Sequence, residues 1–265
     1  MARTLIKAKK IKMKFKTKGV ILRQQNIGEQ DRLVWILTDS HGVIRAFVRR
    51  AKNIKSPKCA GTGLLCYADL SVFEGKDAYT VDEAAALEQF KGLRTDPVSL
   101  TLAEYFCELC LTLCPKEQEA GEYLRLLLNS LYLLSTKKKP PTLVKVCFEM
   151  RLISLCGYMP DLVMCDLCGA YESPMMLFAP ASGKLYCADC AQQHKIPGAC
   201  LPLASITALR HTVYADFEKL YSFGLKEELL EPLSDAVSQY VSHMTGKEYL
   251  TLQIYNTMKP PPYRI

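Results

Sequence analysis

The sequence predicts an α+β protein in which a small antiparallel barrel precedes a helical domain with an inserted cysteine-rich ribbon. Three observations predict it. Strand-length apolar runs fill residues 19–81 and leave no room for crossover helices; after Thr95 apolar residues recur at spacings of three and four; and Cys165-x-x-Cys168 is repeated, after eighteen intervening residues, as Cys187-x-x-Cys190.

The barrel comes first. Val20-Ile21-Leu22 reads as one strand, Leu33-Val34-Trp35-Ile36-Leu37 as a second, and Val43-Ile44-Arg45-Ala46-Phe47-Val48 as a third, joined to the second by a turn at Asp39-Ser40-His41-Gly42. Leu70–Glu74 and Ala78–Val81 form a further hairpin around Gly75-Lys76-Asp77. Five short strands in so little chain suggest an OB-fold.

Charge is concentrated in the same region. The net charge is +7, yet residues 1–80 hold 17 Lys and Arg against 6 Asp and Glu, a net of +11, and the remainder carries −4. Such asymmetry points to a polyanionic partner. Lys10, Lys12, Lys14, Lys16 and Lys18 alternate with Ile11, Met13, Phe15 and Thr17, so that an extended strand places all five ammonium groups on one face. This lysine comb reads as a phosphate track, or else as a solvated tail or an edge strand guarded by lysine. A second basic cluster runs from Arg49 to Lys58 and includes Arg50, Lys52 and Lys55. With Arg23 and Arg45 these residues are the candidate nucleic-acid contacts. Trp35, Phe47 and Phe73 are options for base stacking, although the apolar strand around Trp35 favours core packing for that ring. Arg32 reads either as a DNA contact or as a partner for Asp31 or Glu29.

Helices follow. Asp96-Pro97 is a start signal, and Leu100, Ala103, Phe106, Cys107, Cys110 and Cys114 share a stripe that ends at Pro115. Cys107-x-x-Cys110 lies on that stripe and reads as core rather than as a redox motif. Further helices are expected over Glu117–Ser135, Thr142–Leu155, Leu203–Phe217 and Lys226–Met244, the last capped by Gly246. The borders expected are 1–82 for the basic arm and barrel, 83–164 and 195–250 for the two parts of the helical domain, 165–194 for the ribbon and 251–265 for a tail.

Cys165, Cys168, Cys187 and Cys190 have the spacing of a Cys₄ zinc site, two knuckles each supplying two thiolates. Gly169 lets the first knuckle curl, and Ser182-Gly183-Lys184 reads as a hairpin turn delivering the second. The alternative is four ordinary buried cysteines. Four thiolates fill a tetrahedral shell, so one Zn²⁺ here is expected to be structural rather than catalytic.

No run of roughly 18 apolar residues and no secretory leader is evident, which suggests a cytoplasmic protein with reduced thiols and no membrane contact. A zinc deaminase needs His-x-Glu and Pro-Cys-x-x-Cys, and a P-loop enzyme needs Gly-x₄-Gly-Lys-[Ser/Thr]; the sequence has none of these. No enzymatic activity is expected.

Two stretches carry a family resemblance. Gly19–Leu22, Gly28-Glu29-Gln30-Asp31-Arg32-Leu33-Val34 and Leu37-Thr38 followed by Gly42 resemble the N-terminal barrel of the bacterial recombination mediators of the RecO family. Phe148–Pro160, running into Cys165-x-x-Cys168-Gly169 and later Ser182–Cys187-x-x-Cys190, resembles the central signature of its zinc-containing branch. The resemblance covers about residues 17–250. It implies an OB-fold followed by a zinc-bearing helical domain and DNA repair through the RecF pathway. It also implies binding of single- and double-stranded DNA, annealing of complementary strands, association with RecR, and help for RecA against single-stranded-DNA-binding protein. The expected location is the cytoplasm, at the nucleoid during repair. Glycine is usual in the family where Arg50 and Ser182 stand, and the lysine comb before Lys18 exceeds the usual start. The rival reading is a non-catalytic, zinc-stapled adaptor whose helical domain binds a partner peptide while the basic arm only tethers nucleic acid.

Overall fold

The chain divides into two compact units: Met1–Gln89 with Pro115–Gly121, and Phe90–Cys114 with Glu122–Ile265. The structure, a computed structural model, describes residues 13–53, 56–75 and 79–259.

The first unit is a closed five-stranded barrel built from β1 (Lys14–Ile27), β2 (Asp31–Thr38), β3 (Gly42–Val48), β4 (Tyr67–Phe73) and β5 (Tyr79–Glu88). The strand order is β1-β2-β3-β5-β4, closing on β1. Only the β3–β5 pairing is parallel. β1 serves two neighbours: Lys14–Val20 pairs with β4, and Gly19–Ile27 pairs with β2. A register shift between Ile21 and Arg23 separates the two halves, and such a bulge adds the twist a small barrel needs to close. Val34, Ile36, Ile44, Ala46, Leu70 and Val72 fill the interior. The expectation of an OB-type barrel holds, with two additions. β1 begins well before Val20, and a short helix, α1 (Pro57–Gly61), starts at the end of the basic cluster. Ser56 caps α1 by accepting from the Lys58 amide at 3.3 Å, and Pro57 opens its first turn.

The α3 helix was expected from Glu117 but starts at Gly121. The preceding residues pair with the β2–β3 turn instead: Val43 donates to the Pro115 carbonyl at 2.8 Å, Glu117 to His41 at 3.0 Å and Ala120 to Asp39 at 2.8 Å. Gly42 makes this possible. Its φ is +60° and a Cβ there would lie 2.1 Å from the Pro115 oxygen, so both backbone conformation and space demand glycine.

In the second unit, α2 (Pro97–Leu113), α3 (Gly121–Thr136), α4 (Pro141–Leu155), α6 (Leu203–Tyr214), α7 (Glu227–Thr245) and α8 (Leu250–Met258) form the helical body. Asp96 caps α2 through the Val98 amide. α4 is buried on nearly every side against α2, α6 and α7, with Phe106 and Phe148 stacked at 4.0 Å. Cys107 and Cys110 are buried on α2, as their stripe predicts. Inside this core Lys145 pairs with Glu149 at 2.9 Å, and Glu149 also accepts from Tyr105 at 2.6 Å. A buried charge is tolerable when it is paired in this way. α8 occupies residues expected to be a tail.

Inserted between α4 and α6 is a four-stranded sheet, in the order β6-β8-β7-β9, made of β6 (Asp161–Cys165), β7 (Met175–Ala179), β8 (Lys184–Cys187) and β9 (Ala199–Pro202), with α5 (Ala188–Gln193) following β8. The β7–β8 turn is the hairpin expected at Ser182–Lys184. Gly183 has φ +68° and faces the Tyr240 ring, which a Cβ would meet at 2.9 Å. The obligatory glycine is therefore Gly183, and Ser182 is exposed and free to vary. Among the described residues no helix is long and apolar enough to cross a membrane.

Candidate functional site

The four knuckle cysteines converge. Cys165 ends β6 and Cys187 ends β8, while Cys168 sits in the turn after β6 and Cys190 in α5. Their sulfurs all lie within 4.8 Å of one another. Cys168 and Cys187 are 3.7 Å apart, close to the roughly 3.8 Å edge of a tetrahedron with metal–sulfur bonds near 2.3 Å. Gly169, at φ +73°, closes the first knuckle by donating to the Cys165 carbonyl at 2.9 Å. Burial acts to raise the Cys165 thiol, but the amides of Cys168, Cys187 and Leu167 aimed at its sulfur outweigh burial and bring it down to about 6. Cys190, beside the Cys187 sulfur and then by desolvation, is pushed up to about 12. One thiolate is favoured while Cys168 and Cys190 resist ionising, the condition a bound cation relieves. The set can hold a metal ion, and its all-sulfur donor chemistry suits a soft or borderline one.

The basic residues of the barrel fall on two faces. On the first, cross-strand register places Arg23 of β1 beside Trp35 of β2, and Trp35 beside Arg45 of β3. The Arg23 guanidinium lies 4.9 Å over the Trp35 ring. Both arginines are exposed, and Phe47, two residues along β3, is 40% exposed. Trp35 is half-buried on the outer surface, which corrects the expectation of core packing. Val34 and Ile36 point inward and Trp35 outward, but the unbroken apolar run Leu33–Leu37 conceals that alternation. The cue available in the sequence was the pair of arginines that flank the ring once the strands are aligned.

At one end of this face the loop after β3 is tied to the β1–β2 turn. The Arg50 amide donates to Asp31 at 2.9 Å, the Lys52 amide to the Gln30 carbonyl at 3.2 Å, and Lys52 Nζ to the Gly28 carbonyl at 3.3 Å. Arg49, Arg50 and Lys52 are exposed there. Arg50 has φ +55°, the left-handed conformation that glycine adopts most easily. The turn is kept with arginine in it. Arg32 is structural: its Nη1 donates to the Thr62 carbonyl at 2.9 Å and to the Thr62 hydroxyl at 3.2 Å.

The second face carries the described part of the lysine comb. Lys14, Lys16 and Lys18 are exposed on β1, Thr17 between them is buried, and the alternation is that of a strand. Across from them, however, stand acids. Lys18 is opposite Asp69; Lys16 is opposite Ser71, which is opposite Glu83; and Lys14 pairs with Asp82 at 2.8 Å. The Asp82 hydrogen bond raises the Lys14 ammonium, and the same bond holds the Asp82 carboxyl below its usual range. Phe73 is half-buried beneath Lys14, whose Nζ lies 5.3 Å from the ring centre. Lys10, Lys12 and Lys55 lie outside the described residues.

A five-stranded OB-like barrel followed by a helical unit with a four-cysteine ribbon defines an α+β protein of the OB-fold class, and sequence comparison gives the family. The family model described as Recombination protein O N terminal matches residues 13–90, and that described as Recombination protein O C terminal matches residues 94–253. The DNA repair protein RecO of Acetivibrio thermocellus is 33% identical over 244 residues, covering 92% of this chain and 96% of that protein. The proteins of the same name from Clostridium novyi and Symbiobacterium thermophilum are each 27% identical, over 94% and 91% of this chain and 96% of each relative. The chain belongs to the bacterial RecO family of DNA repair and recombination mediators, proteins that interact with DNA.

Proposed function

We propose that the protein acts in the RecF pathway, binding single- and double-stranded DNA, annealing complementary strands and, with RecR, helping RecA load on DNA coated with single-stranded-DNA-binding protein. The observation that carries the DNA reading is the Arg23–Trp35–Arg45 row, a flat π-face with a cation on each side. Such a row supports sequence-tolerant binding, because every base can stack and every nucleotide brings a phosphate. Arg49, Arg50 and Lys52 extend the cationic surface along the loop. Annealing makes and breaks no covalent bond. It requires that repulsion between two polyanions be screened, which arginines accomplish by displacing condensed counterions. The Lys10–Lys18 comb contributes less on this reading, since Lys14 pairs with Asp82 and Lys18 lies opposite Asp69.

The four-cysteine set would hold one Zn²⁺ as a structural staple through Cys165, Cys168, Cys187 and Cys190; it supplies cross-linking of the two knuckles and no reactive position. Cys187→Ser is expected to abolish stoichiometric zinc and lower the melting temperature by several degrees; a variant that keeps both would remove the metal from this reading. The location proposed is the cytoplasm, at the nucleoid during repair. The central experiment is annealing of complementary fluorescent oligonucleotides against salt. Acceleration at low salt that fades steeply by 0.2 M is expected, and no acceleration at low salt would defeat the mediator reading.

A further inference from the structure

On the second unit, where β6 and the first cysteine knuckle meet α6, lies an open groove of about 540 Å³ lined by Val163, Tyr171, Glu172, Arg210, His211 and Tyr214 among others. Two aromatic rings stand in it largely uncovered, Tyr171 at 58% and Tyr214 at 49% exposure. Large apolar side chains are normally found singly on a surface, and an exposed group rimmed by polar residues marks a binding site.

Arg210 organises the groove. Its Nε donates to the Leu162 carbonyl at 2.7 Å, and its Nη2 donates to the carbonyls of Val163 at 3.0 Å and Tyr171 at 2.7 Å. It thereby fastens to α6 both ends of the segment that carries Cys165 and Cys168. The same guanidinium lies 4.4 Å over the Tyr171 ring. Among the described residues no carboxylate lies within ion-pair distance of it. Tyr214 is fixed from the other side, its hydroxyl accepting from the Leu162 amide at 3.4 Å. Two rings are thus held by one knuckle and one helix, with a cation behind the first.

We propose that this groove is a second site for single-stranded nucleic acid, taking unpaired bases on the faces of Tyr171 and Tyr214 with Arg210 backing the stack. The inference rests on the DNA-binding reading above and adds the second strand that annealing requires. The exposed ring faces favour a base as the occupant over an acidic peptide, because a strand can lay its bases on them and leave its phosphates in solvent. Most of the Arg210 donors are engaged by carbonyls and Glu172 stands at the rim, so the groove presents neutral π-faces with little net charge. Few counterions would be released on binding, so this site is expected to be nearly insensitive to salt, unlike the arginine row of the barrel.

The test uses the full chain and two non-complementary oligonucleotides, one with a donor dye and one with an acceptor. Energy transfer reports both strands on one protein. The wild type is expected to give transfer. Tyr171→Ala with Tyr214→Ala should hold the first strand within about twofold of wild type while losing transfer, and should anneal complements roughly tenfold more slowly. Tyr171→Ala alone, at a mostly exposed ring, should reproduce much of the loss without unfolding, and the two Tyr→Phe changes should leave transfer intact. The proposal is overturned if the double alanine variant keeps transfer and annealing rate, or keeps them while losing an acidic peptide. It is overturned equally if the Phe variants behave like the Ala variants, since the hydroxyl contact with Leu162 and not stacking would then be responsible. A wild type that binds neither strand defeats the DNA reading itself and is distinguishable from all of these.

Discussion

The two basic faces of the barrel look alike as sequence and differ as chemistry. Lys14, Lys16 and Lys18 form the denser array, yet the neighbouring strands set Asp69, Glu83 and Asp82 against them. Arg23 and Arg45 are only two residues on separate strands, yet what lies between them is an aromatic ring and no acid. The charge available to a ligand is therefore decided by cross-strand partners that a linear count does not see. Side chain and geometry add to the difference. A lysine is a point charge on a flexible stem, whereas an arginine over a tryptophan is held flat and ready to meet a base or a phosphate.

The contrast can be broken most directly on the arginine row. Arg23→Ala, Trp35→Ala and Arg45→Ala together are expected to weaken single-strand binding by about 3 kcal/mol, on the order of a hundredfold, given about 1–3 kcal/mol per stacked base. The logarithmic salt slope should become shallower by about 1.4 as two phosphate contacts go. Fluorescence anisotropy over a salt series measures both, and equal loss from the Lys14, Lys16 and Lys18 alanine variant would abolish the distinction between the faces.

A smaller effect should appear when the comb is released. Asp69→Asn with Glu83→Gln is expected to raise affinity at low salt by roughly threefold to tenfold, because Lys18 then has no carboxylate opposite it and Lys16 none beyond Ser71, while Lys14 keeps Asp82. The same release follows from acid. The Asp82 pKa in the folded protein lies below its ordinary value. Its pairing with Lys14 therefore contributes stability above the ordinary carboxylate range and loses it as pH falls through and below that range. Between pH 6 and 8 the pairing is constant, and comb-dependent binding should be flat there and rise only once pH falls below the ordinary carboxylate range. A marked change between pH 6 and 8 would contradict this account.

The smallest effect concerns Arg50. Glycine at this position relieves the left-handed backbone and is expected to stabilise the barrel by about 0.5 kcal/mol in urea unfolding. It should weaken DNA binding by about one phosphate contact, and the two opposite signs separate backbone from charge. A variant both less stable and equally tight would show that Arg50 has a packing role.

Much of this architecture was legible in the sequence. The cysteine spacing located the ribbon because metal geometry leaves few alternatives to two knuckles. Asp96-Pro97 and Gly246 marked helix ends through caps that act locally. What escaped detection depended on distant partners. Trp35 was hidden by a strand apolar on both faces, and the true start of α3 by hydrogen bonds to a turn some seventy residues earlier. The neutralised comb was hidden because the acids opposite it come from strands β4 and β5. The rings Tyr171 and Tyr214 lie more than forty residues apart and share a groove because Arg210 holds Tyr171 and the Leu162 amide holds the Tyr214 hydroxyl.

The return of Pro115–Gly121 to the barrel has a consequence for modularity. Three backbone hydrogen bonds of the β2–β3 turn are completed by residues encoded after the first long helix. A gene fragment ending at residue 89 would leave those groups unmatched, so the barrel is not a contiguous cassette. Recombination between relatives that exchanged the two halves of the gene would graft one parent's barrel onto the other parent's seven-residue strap. Co-inheritance of residues 39–43 and 115–121 is the constraint this places on exchange, and chimeras that respect it should fold where those that split it do not.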